Sequence, residues 1–139
     1  MISESLAEIV EAACEMSSKE EKVEFLKSKK SKPLCNILKV MYDKKMELNI
    51  PDVAPPYNPS DINESHGMLF REARKLTYFI KGYDGDGLSQ ARRESIFIQM
   101  LETVDRKDAE LLVKMLAQKP LKGLPLSVIK EAFPNLIEG

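Results

Sequence analysis

The chain has 139 residues, 43% apolar and 31% charged, with no tryptophan and a formal net charge of −1. That length suits one domain with a real core of Leu, Ile, Val, Met and Ala. The composition excludes a bilayer-spanning segment, since no apolar run approaches the necessary ~20 residues, and it gives no global attraction to nucleic acid.

The first predicted element runs from Glu4 to Met16, where Leu6, Ile9, Val10 and Ala13 recur at helical spacing. The stretch Met1 to Ala12 is acidic and amphipathic, without the basic start and apolar run of a secretory signal, so a cytosolic location is expected. Ser18 and Glu21 fit a capping box that opens a second helix ending near Lys29. A third helix is expected from Lys32 to Leu48, with Pro33 in its first turn and an inward stripe of Leu34, Ile37, Leu38 and Met41. Pro51, Pro55, Pro56 and Pro59 then rule out a helix, and residues 49–66 read as one long loop.

A fourth helix, Gly67 to Lys81, turns Leu69, Ala73, Leu76 and Ile80 inward and sets Arg71, Arg74, Lys75 and Tyr78 on another face. Gly82 to Gly87 ends it. A fifth helix spans Leu88 to Val104 with Ser89 as cap, and a sixth follows Asp105. The last follows Gly123 and Pro125 and stops at Pro134. No segment alternates with period two for long enough to suggest a sheet. The fold class is therefore all-α, a compact bundle of about seven helices with one long Pro-rich loop.

Charge is unevenly spread along the chain. Residues 1–24 hold seven glutamates against two lysines, and residues 25–50 hold seven lysines against Asp43 and Glu47. The molecule is expected to have an acidic and a basic side despite its neutral sum. The run Lys27 to Lys32 sits at a helix end, where cations suit the dipole, and it reads first as a solvated turn and second as a phosphate patch. The stripe Arg71, Arg74, Lys75 and Tyr78 offers three cations for phosphates and a ring for a sugar or base.

Catalytic and metal motifs fail on inspection. Cys14 and Cys35 are the only cysteines and His66 the only histidine, without the spacing of a zinc site. In a cytosolic helical domain the two thiols are expected reduced and half-buried. Lys81-Gly82-Tyr83-Asp84-Gly85 has one residue too many for the Lys-x-Asp-Gly of nucleotidyl transferases. Counted from Asp84 as a calcium loop, the fifth position is Leu88 and the twelfth is Ser95, so that match fails too. An ordinary glycine-rich turn fits better. Gly87-Leu88-Ser89-Gln90 before Arg92 and Arg93 is a short and unspecific likeness to a helix-turn-helix. No catalytic residue, metal or cofactor is expected.

With the helices placed, several short motifs share an order over some 130 residues. They are Ser17-Ser18-Lys19, Leu38 with Tyr42, Gly67-Met68-Leu69, and Asp108-Ala109-Glu110-Leu111-Leu112. Gly123, Ser127 and Ile129 follow, then Phe133-Pro134-Asn135-Leu136-Ile137. In this order they resemble the N-terminal DNA-binding domain of ATP-dependent DNA ligases from T-even phages. The chain also looks like a group of small proteins of T-even-like phages of marine cyanobacteria. The resemblance implies a domain that grips backbone and minor groove around a nick. Because the chain stops at Gly139, it also implies binding without sealing, by a stand-alone non-catalytic protein. The implied contacts are Lys119, Lys122, Gly123, Ser127 and Lys130, helped by Arg71, Arg74 and Lys75, on double-stranded or nicked DNA. Where the family carries Arg-Asp-Leu before its glycine, this chain has Lys119-Pro120-Leu121-Lys122. The family's glycine introduces a helix N-terminus suited to a phosphate, and Gly123 is expected to do the same. The alternative is an adaptor for host or phage transcription or replication proteins that keeps the fold without DNA. The acidic first helix, the Pro-rich loop and the altered basic motif motivate it.

Overall fold

The computed structural model describes residues 5–51, 55–59 and 68–137. Among these, seven α-helices and two 3-10 segments make up the regular structure: α1 (Leu6–Glu15), α2 (Lys19–Ser28), α3 (Lys32–Tyr42), α4 (Met68–Glu72), α5 (Gln90–Thr103), α6 (Arg106–Leu116) and α7 (Leu126–Ala132). The 3-10 segments are Ala73–Phe79 and Asp84–Gly87. The all-α expectation holds. His66, Gly67 and parts of the Pro-rich loop lie outside the described residues.

The helix starts follow their caps. Ser5 and Glu8 form a capping box for α1, as Ser18 and Glu21 do for α2. Ser31, Ser89 and Asp105 accept backbone N–H bonds at the starts of α3, α5 and α6. α6 is the hub of the packing, in contact with α1, α3 and α5, while α7 lies on α2. Its Asp108 is fully buried and accepts the Ala7 N–H at 2.8 Å. One carboxylate in the first turn of α6 thereby meets an orphan donor at the start of α1, favourable at both positive helix ends. Phe79 and Phe97 meet edge-on at 5.1 Å between centroids and tie the first 3-10 segment to α5.

Two elements differ from the sequence reading. α3 ends at Tyr42, not Leu48. Asp43 stops it: one carboxylate oxygen accepts Lys45 N–H at 2.9 Å and the other pairs with Lys39 at 3.0 Å. That local bond competes with helix continuation. Beyond it Leu48 pairs with Ile80 in an isolated antiparallel bridge.

The fourth helix is also shorter than expected. Only Met68–Glu72 is α-helical, and residues 73–79 tighten into a 3-10 helix. Ala73, Leu76 and Phe79 are buried there, a spacing of three that superimposes them on one face at three residues per turn. Of the cationic stripe, Arg71 and Arg74 are exposed. Lys75 is half-buried and pairs with the buried Glu72 at 2.8 Å.

Candidate nucleic-acid interface

The segment after α6 carries Lys119, Lys122 and Gly123, and long-range hydrogen bonds fix it to the end of α3. Gln118 follows the helix with φ +50, a left-handed conformation costly for a residue with a Cβ. Its side chain compensates by donating to Val40 O at 3.1 Å and Met46 O at 2.6 Å. The last carbonyls of a helix lack intrahelical partners, so the Val40 bond also fills a vacancy at the end of α3. A tight turn follows, in which Leu124 N–H donates to Leu121 O. Tyr42 closes it from below: its hydroxyl donates to Leu124 O at 2.6 Å and accepts Leu121 N–H at 3.0 Å. Burial pushes the Tyr42 phenol up to about 12, partly opposed by the Leu121 N–H, which favours the phenolate.

This scaffold determines where the lysines emerge. Lys119 directly follows Gln118, and Lys45 directly precedes Met46. The Gln118–Met46 bond therefore places Lys119 at one junction with Lys45 and Lys44, all three exposed. Lys81 approaches the same junction, since its N–H donates to Glu47 O, while its ammonium stands 4.0 Å from the Glu47 carboxylate. A third helix running to Leu48 would include Lys44 and Lys45, which instead lie beyond the end of α3. The signal that finds them is Asp43, a helix-stopping residue just past the apolar stripe.

The remaining expected contacts are distributed differently. Lys122 is exposed on the tight turn and lines a groove between α1 and α6. Ser127 and Lys130 are exposed on α7, against α2, next to the Lys19–Glu131 ion pair at 3.1 Å. Arg71 on α4 and Arg74 on the first 3-10 segment are exposed, and both elements contact α3.

Gly123 corrects the expectation drawn from the resemblance. It does not introduce a helix N-terminus, because α7 begins at Leu126 after Pro125. Its φ is +84, and a Cβ there would stand 2.5 Å from the Cys14 carbonyl oxygen. Its own carbonyl accepts Lys22 Nζ at 2.6 Å, and the same ammonium donates to Ala13 O and Cys14 O. Gly123 is thus a close-packing residue against the C-terminal end of α1. A cation at the negative end of that helix holds it in place.

The α1–α6 groove encloses about 370 Å³. Val10, Leu111 and Leu121 give it an apolar floor, with Cys14 beside them. Burial raises the Cys14 thiol above its ordinary value, against the nearby charges of Lys22 and Lys114. Cys35 is raised for the same first cause, and both thiols are free. Among the described residues no cluster of three or more His, Cys, Asp or Glu stands ready for a metal, and no helix is long and apolar enough to cross a membrane.

The model of a family of unknown function (DUF6433) matches residues 9–122. The chain belongs to that family. No curated protein matches the chain, and no solved structure matches it. The DUF6433 match takes in Tyr42, Gln118, Lys119, all of α6 and α1 from Ile9 onward.

Proposed function

We propose that this DUF6433 protein is a non-catalytic DNA-binding domain, similar in role to the gripping domain of a T-even-type DNA ligase, with a primary phosphate contact at Lys44, Lys45 and Lys119. The observation that supports this is the Gln118–Met46 bond, which brings the chain at Lys119 beside the chain at Lys44 and Lys45, all three exposed. None of the three is engaged in an ion pair among the described residues. Three phosphate contacts give a duplex affinity whose logarithm falls with log salt at a slope of about −2.7, so binding is modest at physiological ionic strength. Lys122, Lys130, Ser127, Arg71 and Arg74 contribute as peripheral contacts. Lys75 and Gly123 serve the fold.

Fluorescence anisotropy on nicked, intact and single-stranded oligonucleotides at low salt tests the reading. The triple variant Lys44→Glu/Lys45→Glu/Lys119→Glu loses binding, while Lys130→Glu weakens it only slightly. Failure of the wild-type protein to bind any of the three oligonucleotides overturns the reading. Equal binding by wild type and triple variant does so as well.

A second reading, an adaptor for host or phage proteins, is favoured by the α1–α6 groove, whose rim carries both signs of charge and so repels a phosphate backbone as much as it attracts one. Capture of a protein partner insensitive to nuclease treatment supports that reading, and contacts that vanish with the DNA sink it.

A further inference from the structure

We infer that the α1–α6 groove is a docking site for an amphipathic α-helix of a protein partner, one with an apolar stripe between a basic flank and an acidic flank. The inference rests on the adaptor reading and specifies the chemistry of the partner.

The groove floor is apolar, and its two walls differ in net charge. Glu11 and Glu15 line it from α1, and Lys107, Lys114 and the single carboxylate Glu110 from α6, with Lys122 on the adjoining turn. Among the described residues the walls neutralise each other at one point, where Lys107 and Glu11 stand 3.8 Å apart, both more than half exposed. Glu15 and Lys114 make no such pair there. About 370 Å³ above the floor lies within the range of small binding clefts. It suits a few aliphatic side chains inserted from a helix laid along the groove.

The charges decide between occupants. A polyanion meets the α1 carboxylates and a polycation meets the α6 lysines, and either leaves like charges apposed at a cost in affinity. A second copy of this chain offers its own groove, and two concave surfaces leave the floor uncovered. A helix with one basic and one acidic flank satisfies both walls in one of its two directions along the groove.

Three synthetic helical peptides of about 14 residues, roughly four turns, test this. All share one leucine stripe. One has a lysine flank and a glutamate flank, one has glutamate on both, and one has lysine on both. Titration into the full chain, read by anisotropy and by backbone amide NMR shifts, is expected to give the mixed peptide an affinity about tenfold or more above the others, with shifts along α1 and α6. On Glu11→Lys/Glu15→Lys, exposed substitutions that make the α1 wall basic, the preference passes to the all-glutamate peptide. Three equal affinities overturn the inference, as do absence of binding or shifts confined to other helices. A partner recovered from host lysate whose cross-links avoid α1 and α6 overturns the groove assignment while leaving the adaptor reading standing.

Discussion

Replacing Tyr42 with phenylalanine removes one oxygen and two hydrogen bonds from the base of the 118–124 segment. The hydroxyl bridges Leu121 N–H at 3.0 Å and Leu124 O at 2.6 Å, and Leu124 is fully buried. A net hydrogen bond is worth about 1 kcal/mol, and a buried carbonyl left without its partner costs about 1–3 kcal/mol. Tyr42→Phe is therefore expected to lose about 2–3 kcal/mol, a sizeable part of the ~5–15 kcal/mol that holds a domain together. For a domain of this size that corresponds to a fall in Tm of about 8–12 °C, measured by far-ultraviolet circular dichroism. The same variant has a pH signature. The phenol is raised from its ordinary value near 10 to about 12 in the folded protein. The folded state thus holds the proton more tightly than the unfolded one. Its stabilisation is complete below pH 10 and is lost as pH rises toward 12. A spectrophotometric phenolate titration is expected to show a step near pH 12 that Tyr42→Phe removes. A Tm change under about 2 °C together with an unchanged titration would refute the role given to Tyr42.

Three further perturbations separate packing from conformation. Gly123→Ala meets both a positive φ and a carbonyl 2.5 Å from the new Cβ, whereas Gly82→Ala meets a positive φ with nothing within 4 Å. Gly82→Ala should cost about 1–2 kcal/mol and Gly123→Ala clearly more in urea unfolding, so equal losses would remove the argument for close packing. Asp108→Ala deletes the buried acceptor of Ala7 N–H and is expected to cost about 2–3 kcal/mol, the upper range for a hydrogen bond to a charged group, again by urea unfolding. Burial raises both thiols. Cys14 and Cys35 should therefore react with a disulfide reagent at mildly alkaline pH more slowly than glutathione does, and at its rate in denaturant. Fast reaction in the native protein would contradict their burial.

Local signals were readable where the chemistry is local. Ser18 with Glu21, Ser89, and Asp105 mark helix starts in the sequence, and each caps the helix it announces. The α3 terminus was misplaced because the apolar residues Met46 and Leu48 continue a plausible helical pattern, while Asp43 acts through a side-chain bond that periodicity does not register. The 3-10 segment was readable in principle, since Ala73, Leu76 and Phe79 repeat every three residues. A period of 3.6 selects Ala73 and Leu76 with Leu69 and Ile80 and passes over Phe79. The basic junction lay beyond any local reading. It depends on Gln118 reaching Met46 and Tyr42 reaching Leu121, bonds that span 72 and 79 residues of chain. The resemblance to ligase domains implies that Gly123 introduces a helix N-terminus, whereas α7 begins three residues later and Gly123 packs its α-carbon against the Cys14 carbonyl.

Charge along the sequence is a poor measure of the charge offered to a polyanion, and Lys22, Lys39 and Arg93 show why. Lys22 donates to Ala13 O, Cys14 O and Gly123 O. Lys39 donates to Leu136 O while pairing with Asp43. Arg93 donates to Asn49 O, Gly85 O and Leu88 O, fastening the glycine-rich turn to α5. In a bundle of short helices joined by irregular segments, carbonyl oxygens without amide partners are numerous, and long cationic side chains are well suited to reach them. Each such cation is withdrawn from any polyanion, because moving it exposes the carbonyls it serves. The surface left for phosphate is smaller than the 21 Lys and Arg residues suggest. Gln118 and Tyr42, both neutral, make the backbone bonds at the end of α3 and leave Lys44, Lys45 and Lys119 available there. Substituting Gln118 by lysine would reverse this, placing one more cation on Val40 O and Met46 O and adding nothing to the affinity for DNA.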